Sequence, residues 1–200
     1  MSRVEPLKLE EIPELADLFR PVIERMGFIP VSQLVMARKP DLLRAFVNLT
    51  LAVYKEEAGS IPRSLKSLIA NMASKSAGCM YCVAHTGSTA GRFGVGNEKV
   101  AAIWEFETSA LFTDAERAAL SFAQAASQVP NAVADADFAD LRKYFTDFQI
   151  VEIMSVVAMF GYLNRWNDSM ATTLEEEPIA YAEVALADTG WTAGKHAAAE

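Results

Sequence analysis

Two hundred residues, 52% of them hydrophobic, are enough to bury a sizeable core in one domain or in two small halves packed together. The formal net charge of −8 argues against a nucleic-acid partner, which would need clustered Lys and Arg. The most apolar stretch, residues 153–163, is far shorter than the roughly 20 residues that span a bilayer, and residues 1–6 carry no leader-like pattern, so a cytoplasmic protein with no membrane partner is expected.

In chain order, Leu15, Leu18, Phe19, Val22, Ile23 and Met26 form one helical face over 13–26, with Pro21 expected to kink or divide the helix. Gly27 and Pro30 end it, and a short helix follows over 31–38. A long helix runs from Asp41 to Glu57, with Leu42, Leu43, Phe46, Leu49, Val53 and Tyr54 inward. Ser60 is the expected N-cap of a helix that has Pro62 in its first turn and ends near Ala77. Gly78 separates it from a helix that carries both cysteines and runs to about Arg92. Further helices are expected over 97–106, over 113–127 with capping-box spacing at Thr113 and Glu116, over 134–144 and over 146–171. No run alternates apolar and polar residues, so the fold class is all-α. The domain plan is one helical domain over 1–180, with an N-terminal extension over 1–40, and a loosely packed tail over 181–200.

The chemistry concentrates in Gly78-Cys79-Met80-Tyr81-Cys82-Val83-Ala84-His85-Thr86, which holds both cysteines and one of the two histidines. Thiols three residues apart on a helix face the same way and can close a disulfide, and His85 lies one turn beyond Cys82. A nearby imidazole or a helix N-terminus lowers a thiol pKa and makes the thiolate nucleophilic. The pattern describes a redox dithiol with its own base. Cys79, Cys82 and His85 also offer zinc ligand types, but three ligands on one helical turn give poor tetrahedral angles, so no metal is expected.

Together with Ile61-Pro62-Arg63 and Leu163-Asn164-Arg165-Trp166-Asn167-Asp168, this stretch resembles the AhpD-like alkylhydroperoxidase and carboxymuconolactone decarboxylase superfamily, over about 26–177. The resemblance implies an AhpD-like helical bundle that reduces small hydroperoxides without haem, flavin or other cofactor. It also implies reset by an external dithiol and assembly as a homo-oligomer, a trimer or hexamer. Two features depart from the family pattern. His85 comes one residue early, and Ser67 stands where the family commonly has a relay glutamate, twelve residues before the first cysteine. A serine cannot accept a proton at neutral pH as a carboxylate does.

By helix geometry His85 is nearer Cys82, which is assigned the attack on peroxide, with Cys79 condensing on the resulting sulfenic acid. The reverse assignment stays open, because Cys79 is nearer the helix N-terminus. Ser67 and Asn71 share a face of the preceding helix, and Tyr81 sits inside the dithiol loop; each is a candidate for lining the site. Shifting the chain by 85 residues puts Ser67 over Glu152, Cys79 over Asn164 and Cys82 over Asn167. This suggests degenerate repeat halves over 41–110 and 111–177, or a chance alignment of amphipathic helices. On the repeat argument Glu152 is the candidate displaced acid. His196 is given no role, and Glu175-Glu176-Glu177 is taken as a solvated acidic turn. The competing functions are a decarboxylase-type lyase or isomerase and a non-enzymatic redox-sensing oligomer.

Overall fold

In the computed structural model, which describes residues 2–198, the chain forms helices and 3-10 turns, and no strand occurs among the described residues. The helices are α1 (Ala16–Met26), α2 (Val31–Met36), α3 (Pro40–Val53), α4 (Arg63–Ser76) and α5 (Met80–Arg92). They continue with α6 (Asn97–Ala101), α7 (Asp114–Ala126), α8 (Asp135–Leu141), α9 (Asp147–Met170) and α10 (Glu176–Ala185). Among the described residues, no helix is long and apolar enough to cross a membrane.

The centre of the molecule is α4, whose residues from Leu65 to Ser74 are all buried. It packs against α5, α7 and α9. The α9 helix turns Ile153, Val156, Val157, Phe160, Asn164 and Asn167 inward, a three- and four-residue spacing that lays one stripe along the core. The expected capping box at Thr113 and Glu116 opens α7, and Thr146 with Gln149 opens α9 in the same way. A second, smaller apolar cluster joins the N-terminal segment to α3 through Ile12, Leu15, Phe19, Met36, Leu43 and Phe46. It rests on Tyr162, Leu163 and Trp166 of α9, so a space is left between the two clusters.

Three expectations change or narrow. Of the two outcomes expected at Pro21, a kink or a division, α1 shows no division. Ser60 does not cap α4; its hydroxyl accepts from the Glu57 N–H, while Pro62 occupies the N-cap position. The tail is not loose. Residues up to Ala185 belong to α10, His196 is 1% exposed, and the Leu174 N–H donates to the His196 carbonyl. The cause is burial, since Ala182, Ala185 and Leu186 pack into the main core. Residues 199–200 of that expected tail lie outside the described residues.

Candidate active site

The site begins at a reversal of the chain. Gly78 takes the left-handed conformation (φ +72°), which glycine adopts without a Cβ penalty, and turns α4 into α5. Cys79 follows in an extended conformation as the N-cap of α5, and its sulfur accepts the Cys82 N–H at 3.4 Å. The sulfur thus takes the part an Asp or Ser oxygen plays at other helix starts. Both thiols are free and buried.

The two sulfurs differ in acidity. The hydrogen bond from the Cys82 thiol, set against burial, holds Cys79 below the ordinary thiol range. Burial first, then the neighbouring Cys79, pushes Cys82 well above it. Of the two, Cys79 is the more acidic and Cys82 holds its proton the more tightly. Asn167 of α9 donates its amide to the Cys82 sulfur at 3.4 Å, a contact between two residues that the 85-residue shift superposes.

Cys82 opens onto a cavity of about 360 Å³ in the space between the two apolar clusters. Phe46, Met26 and Pro30 wall it on the N-terminal side, and Ala70, Met159 and Phe160 on the other. His85, Tyr81 and Ser67 also reach it, whereas Cys79 is not among the described residues of its wall. The volume suits a small organic molecule with few polar groups.

His85 is held by a carboxylate. Its Nε2 lies 2.6 Å from Glu175 Oε2, and the Tyr81 hydroxyl donates to Glu175 Oε1 at 2.9 Å. The Val31 N–H donates to the same carboxylate. Burial alone would push the Glu175 carboxyl up, but the neighbouring His85 and these hydrogen bonds together bring it below its ordinary value. An ionised carboxylate only accepts, so His85 carries its proton on Nε2 and keeps Nδ1 as the ring atom that can take another. Tyr81 stacks on the His85 ring at 4.3 Å, and burial with the Glu175 charge keeps its phenol protonated. Glu175 is thus no solvated turn residue. Its side chain is 12% exposed, and it sits at the N-cap of α10, a helix that lies against α5.

The remaining candidates divide. Ser67 lines the cavity and donates to the Arg63 carbonyl at 2.8 Å. Asn71 ties α4 to α5 through the Val83 carbonyl and the Thr86 hydroxyl. Glu152 is not brought to the thiols. It pairs with the buried Lys66 ammonium at 2.7 Å and caps the Ile61 N–H at 2.8 Å. Among the described residues, no hydrogen bond joins His85 to either sulfur. The two cavity arginines are already engaged, Arg63 with Glu56 at 3.0 Å and Arg92 with Glu177 at 2.8 Å.

Glu175 escaped sequence reasoning because it reaches His85 from 90 residues away, beyond any local spacing rule. The available signal was Glu175 directly before a helix with Pro178 in its first turn, which marks an N-terminal cap.

Residues 40–125 match the model of the carboxymuconolactone decarboxylase family. A crystal structure of a cysteine-to-alanine variant of the debrominase Bmp8, in complex with 2,3,4-tribromopyrrole, is 38% identical with a TM-score of 0.83, covering 91% of this chain and 96% of that one. A peroxidase-related protein with an alkylhydroperoxidase AhpD core from Ralstonia eutropha JMP134 shares the fold at 23% identity and a TM-score of 0.79, over 92% of this chain and 96% of that one. The uncharacterized protein YnjA of Escherichia coli strain K12 is 28% identical over 106 residues, which span 53% of this chain but only 58% of that relative. With the dithiol at the head of α5 and the helical fold in agreement, the chain belongs to the AhpD-like and carboxymuconolactone decarboxylase superfamily.

Proposed function

We propose that the protein is a dithiol-dependent reductase of small, largely apolar molecules, with organic hydroperoxides as its first substrate class. The observation that carries this reading is the exposure of one thiol of a Cys-x-x-Cys pair to an apolar cavity beside a carboxylate-held histidine. Cys82, the sulfur on that cavity, gives its proton to Cys79 and attacks the terminal peroxide oxygen. The O–O bond breaks, Cys82 becomes a sulfenic acid, and the alkoxide leaves with a proton that His85 Nδ1 has first taken from solvent. Cys79 then attacks the Cys82 sulfur, water departs and a disulfide forms. An external dithiol, itself oxidised to a disulfide, restores both thiols. No cofactor is needed, and such cycling suits a reducing compartment, the cytoplasm.

A second substrate class is favoured by the aromatic and aliphatic cavity wall and by the 38% identity to a debrominase. Here Cys82 accepts the halogen of a haloaromatic as a sulfenyl halide, and the ring carbon keeps the electron pair and takes a proton. Cys79 again displaces the leaving group, now halide, and the same disulfide results. The lyase alternative gains no support from the cavity, whose arginines are occupied by Glu56 and Glu177.

The test is parallel turnover of cumene hydroperoxide and a brominated pyrrole with dithiothreitol, in wild type, Cys82→Ser and Cys79→Ser. The expected result is turnover of at least one substrate by wild type and its loss in Cys82→Ser. Consumption of neither, with both thiols titratable, sinks the reductase reading. A homo-oligomer also belongs to this proposal, because Phe148, Val151 and Met154 expose 46%, 64% and 41% of their surface along one side of α9.

A further inference from the structure

The second histidine has a place that the reductase cycle above does not use. The 3-10 turn Gly194–His196 carries it beside Cys79, the sulfur that is not among the described residues of the cavity wall. There the Cys79 sulfur, an Asp168 carboxylate oxygen and a His196 ring nitrogen all lie within 4.8 Å of one another. His196 is 1% exposed, and its Nδ1 sits 2.8 Å from the Thr172 carbonyl. A carbonyl only accepts, so Nδ1 carries the proton and Nε2 presents a lone pair. That Nε2 is buried, has no hydrogen-bond partner, and lies 3.9 Å from Asp168 Oδ1.

A buried lone pair 3.9 Å from a carboxylate, on a ring with a nitrogen within 4.8 Å of a sulfur, is an arrangement of acceptors short of a proton. The charged and titratable groups around it are Asp168 of α9, Cys79 and Tyr81 at the start of α5, and Lys195 on its own turn. Lys195 pairs with Asp168 Oδ2 at 2.8 Å, and its ammonium works against a cation held by the same trio. Once Cys82 has passed its proton to Cys79, the Cys79 thiol supplies the proton that satisfies the group. Burial holds the imidazole below its ordinary value, so it is neutral and able to accept at pH 7.

We propose that His196 is the acid–base group of Cys79, an assignment that rests on the dithiol reductase reading. In forming the disulfide, His196 Nε2 takes the proton from the Cys79 thiol. The Cys79 electron pair makes the bond to the Cys82 sulfur, and the group bound to Cys82 leaves with the electrons of the broken bond. In the reset, an external thiolate attacks the Cys82 sulfur, the Cys79 sulfur leaves with the S–S electrons, and His196 returns the proton to it. The dithiol is then served by two histidines. His85 serves the substrate, and His196 serves the partner sulfur.

The experiment isolates this step from substrate chemistry. Reduced protein is treated with one equivalent of methyl methanethiosulfonate, and loss of the S-methylthio group from Cys82, with release of methanethiol, is followed by intact mass. A peptide map of acid-quenched wild type must find the group on Cys82, its appearance on Cys79 overturning the proposal, and Cys79→Ser must retain it there. His196→Asn keeps a donor near the Nδ1 position, and His196→Gln keeps more of the bulk. Both should slow disulfide formation at least tenfold at pH 7 and approach the wild-type rate by pH 9, where solvent deprotonates Cys79. Wild-type exchange should level off near neutral pH. A variant rate equal to wild type, equal slowing at every pH, or a wild-type rate that climbs steadily to pH 9 overturns the proposal. If the variants fail to fold, the wild-type profile alone decides it. Normal exchange with no turnover of either substrate would leave His196 in place and remove the reductase reading.

Discussion

Three donors converge on Glu175, and that convergence fixes what its loss should do. Glutamine there keeps an acceptor for one donor but removes the charge that holds His85 with Nδ1 free. Turnover by Glu175→Gln should fall by about tenfold to a hundredfold, in kcat more than in KM, within the usual contribution of a positioned acid–base group. Tyr81→Phe, which removes one of the three donors, should cost only a few-fold. Steady-state kinetics on whichever substrate is consumed checks both. At this scale the sequence disclosed Cys79, Cys82, His85 and Tyr81, because they lie within two helical turns of one another and their spacing implies a shared face. It could not disclose Glu175 or His196, which reach the dithiol from the C-terminal part of the chain through tertiary packing. Glu152 shows the reverse error. Its alignment with Ser67 suggested chemistry, whereas its carboxylate balances the buried Lys66.

Pairs of helices set the next predictions. Lys66 is fully buried, and its ammonium bonds Glu152 and the carbonyls of Val53 and Lys55. Lys66→Met would leave the Glu152 charge without its partner at the α4–α9 contact and should cost about 3–5 kcal/mol in urea unfolding. Gly87 on α5 faces α10. A Cβ there would sit 2.8 Å from the Tyr181 ring, so Gly87→Ala should destabilise by about 1–3 kcal/mol despite the better helix propensity of alanine. Gly161 on α9 meets nothing within 4 Å, and Gly161→Ala should stabilise by up to about 1 kcal/mol. Most helices were legible from apolar spacing and capping residues. The α10 helix was missed because residues 181–200 read as a loosely packed tail, although Pro178 fits a first helical turn, where its absent N–H is not needed.

At the scale of the molecule, the N-terminal residues are tied to the segment after α9, and the C-terminal turn brings His196 to Cys79. Ser2 bonds Thr173 through backbone and side chain, and Arg3 donates its N–H to the Met170 carbonyl, just before the segment that carries Glu175. Burial of His196 makes this arrangement sensitive to acid. Its folded pKa lies below the ordinary value of 6.5, so the unfolded chain binds the proton more readily. That stability is fully present above about pH 6.5 and is lost as pH falls toward the folded value. The melting temperature should drop between pH 7 and 5.5, and His196→Asn should flatten the drop. For the exposed side of α9, Val151→Glu with Met154→Glu should reduce the mass seen by light scattering to that of a single chain if this face joins the copies.

The indole of Trp191 donates its N–H to the Met80 carbonyl at 3.1 Å, between the two cysteines in sequence. Closing the disulfide changes the charge and bonding at the head of α5, and the indole is tied to the backbone there. The protein therefore contains its own optical probe. Its tryptophan emission should change when the pair is oxidised, return on reduction, and lose that response in Trp191→Phe, so each half of the cycle can be timed without a label or a coupled enzyme.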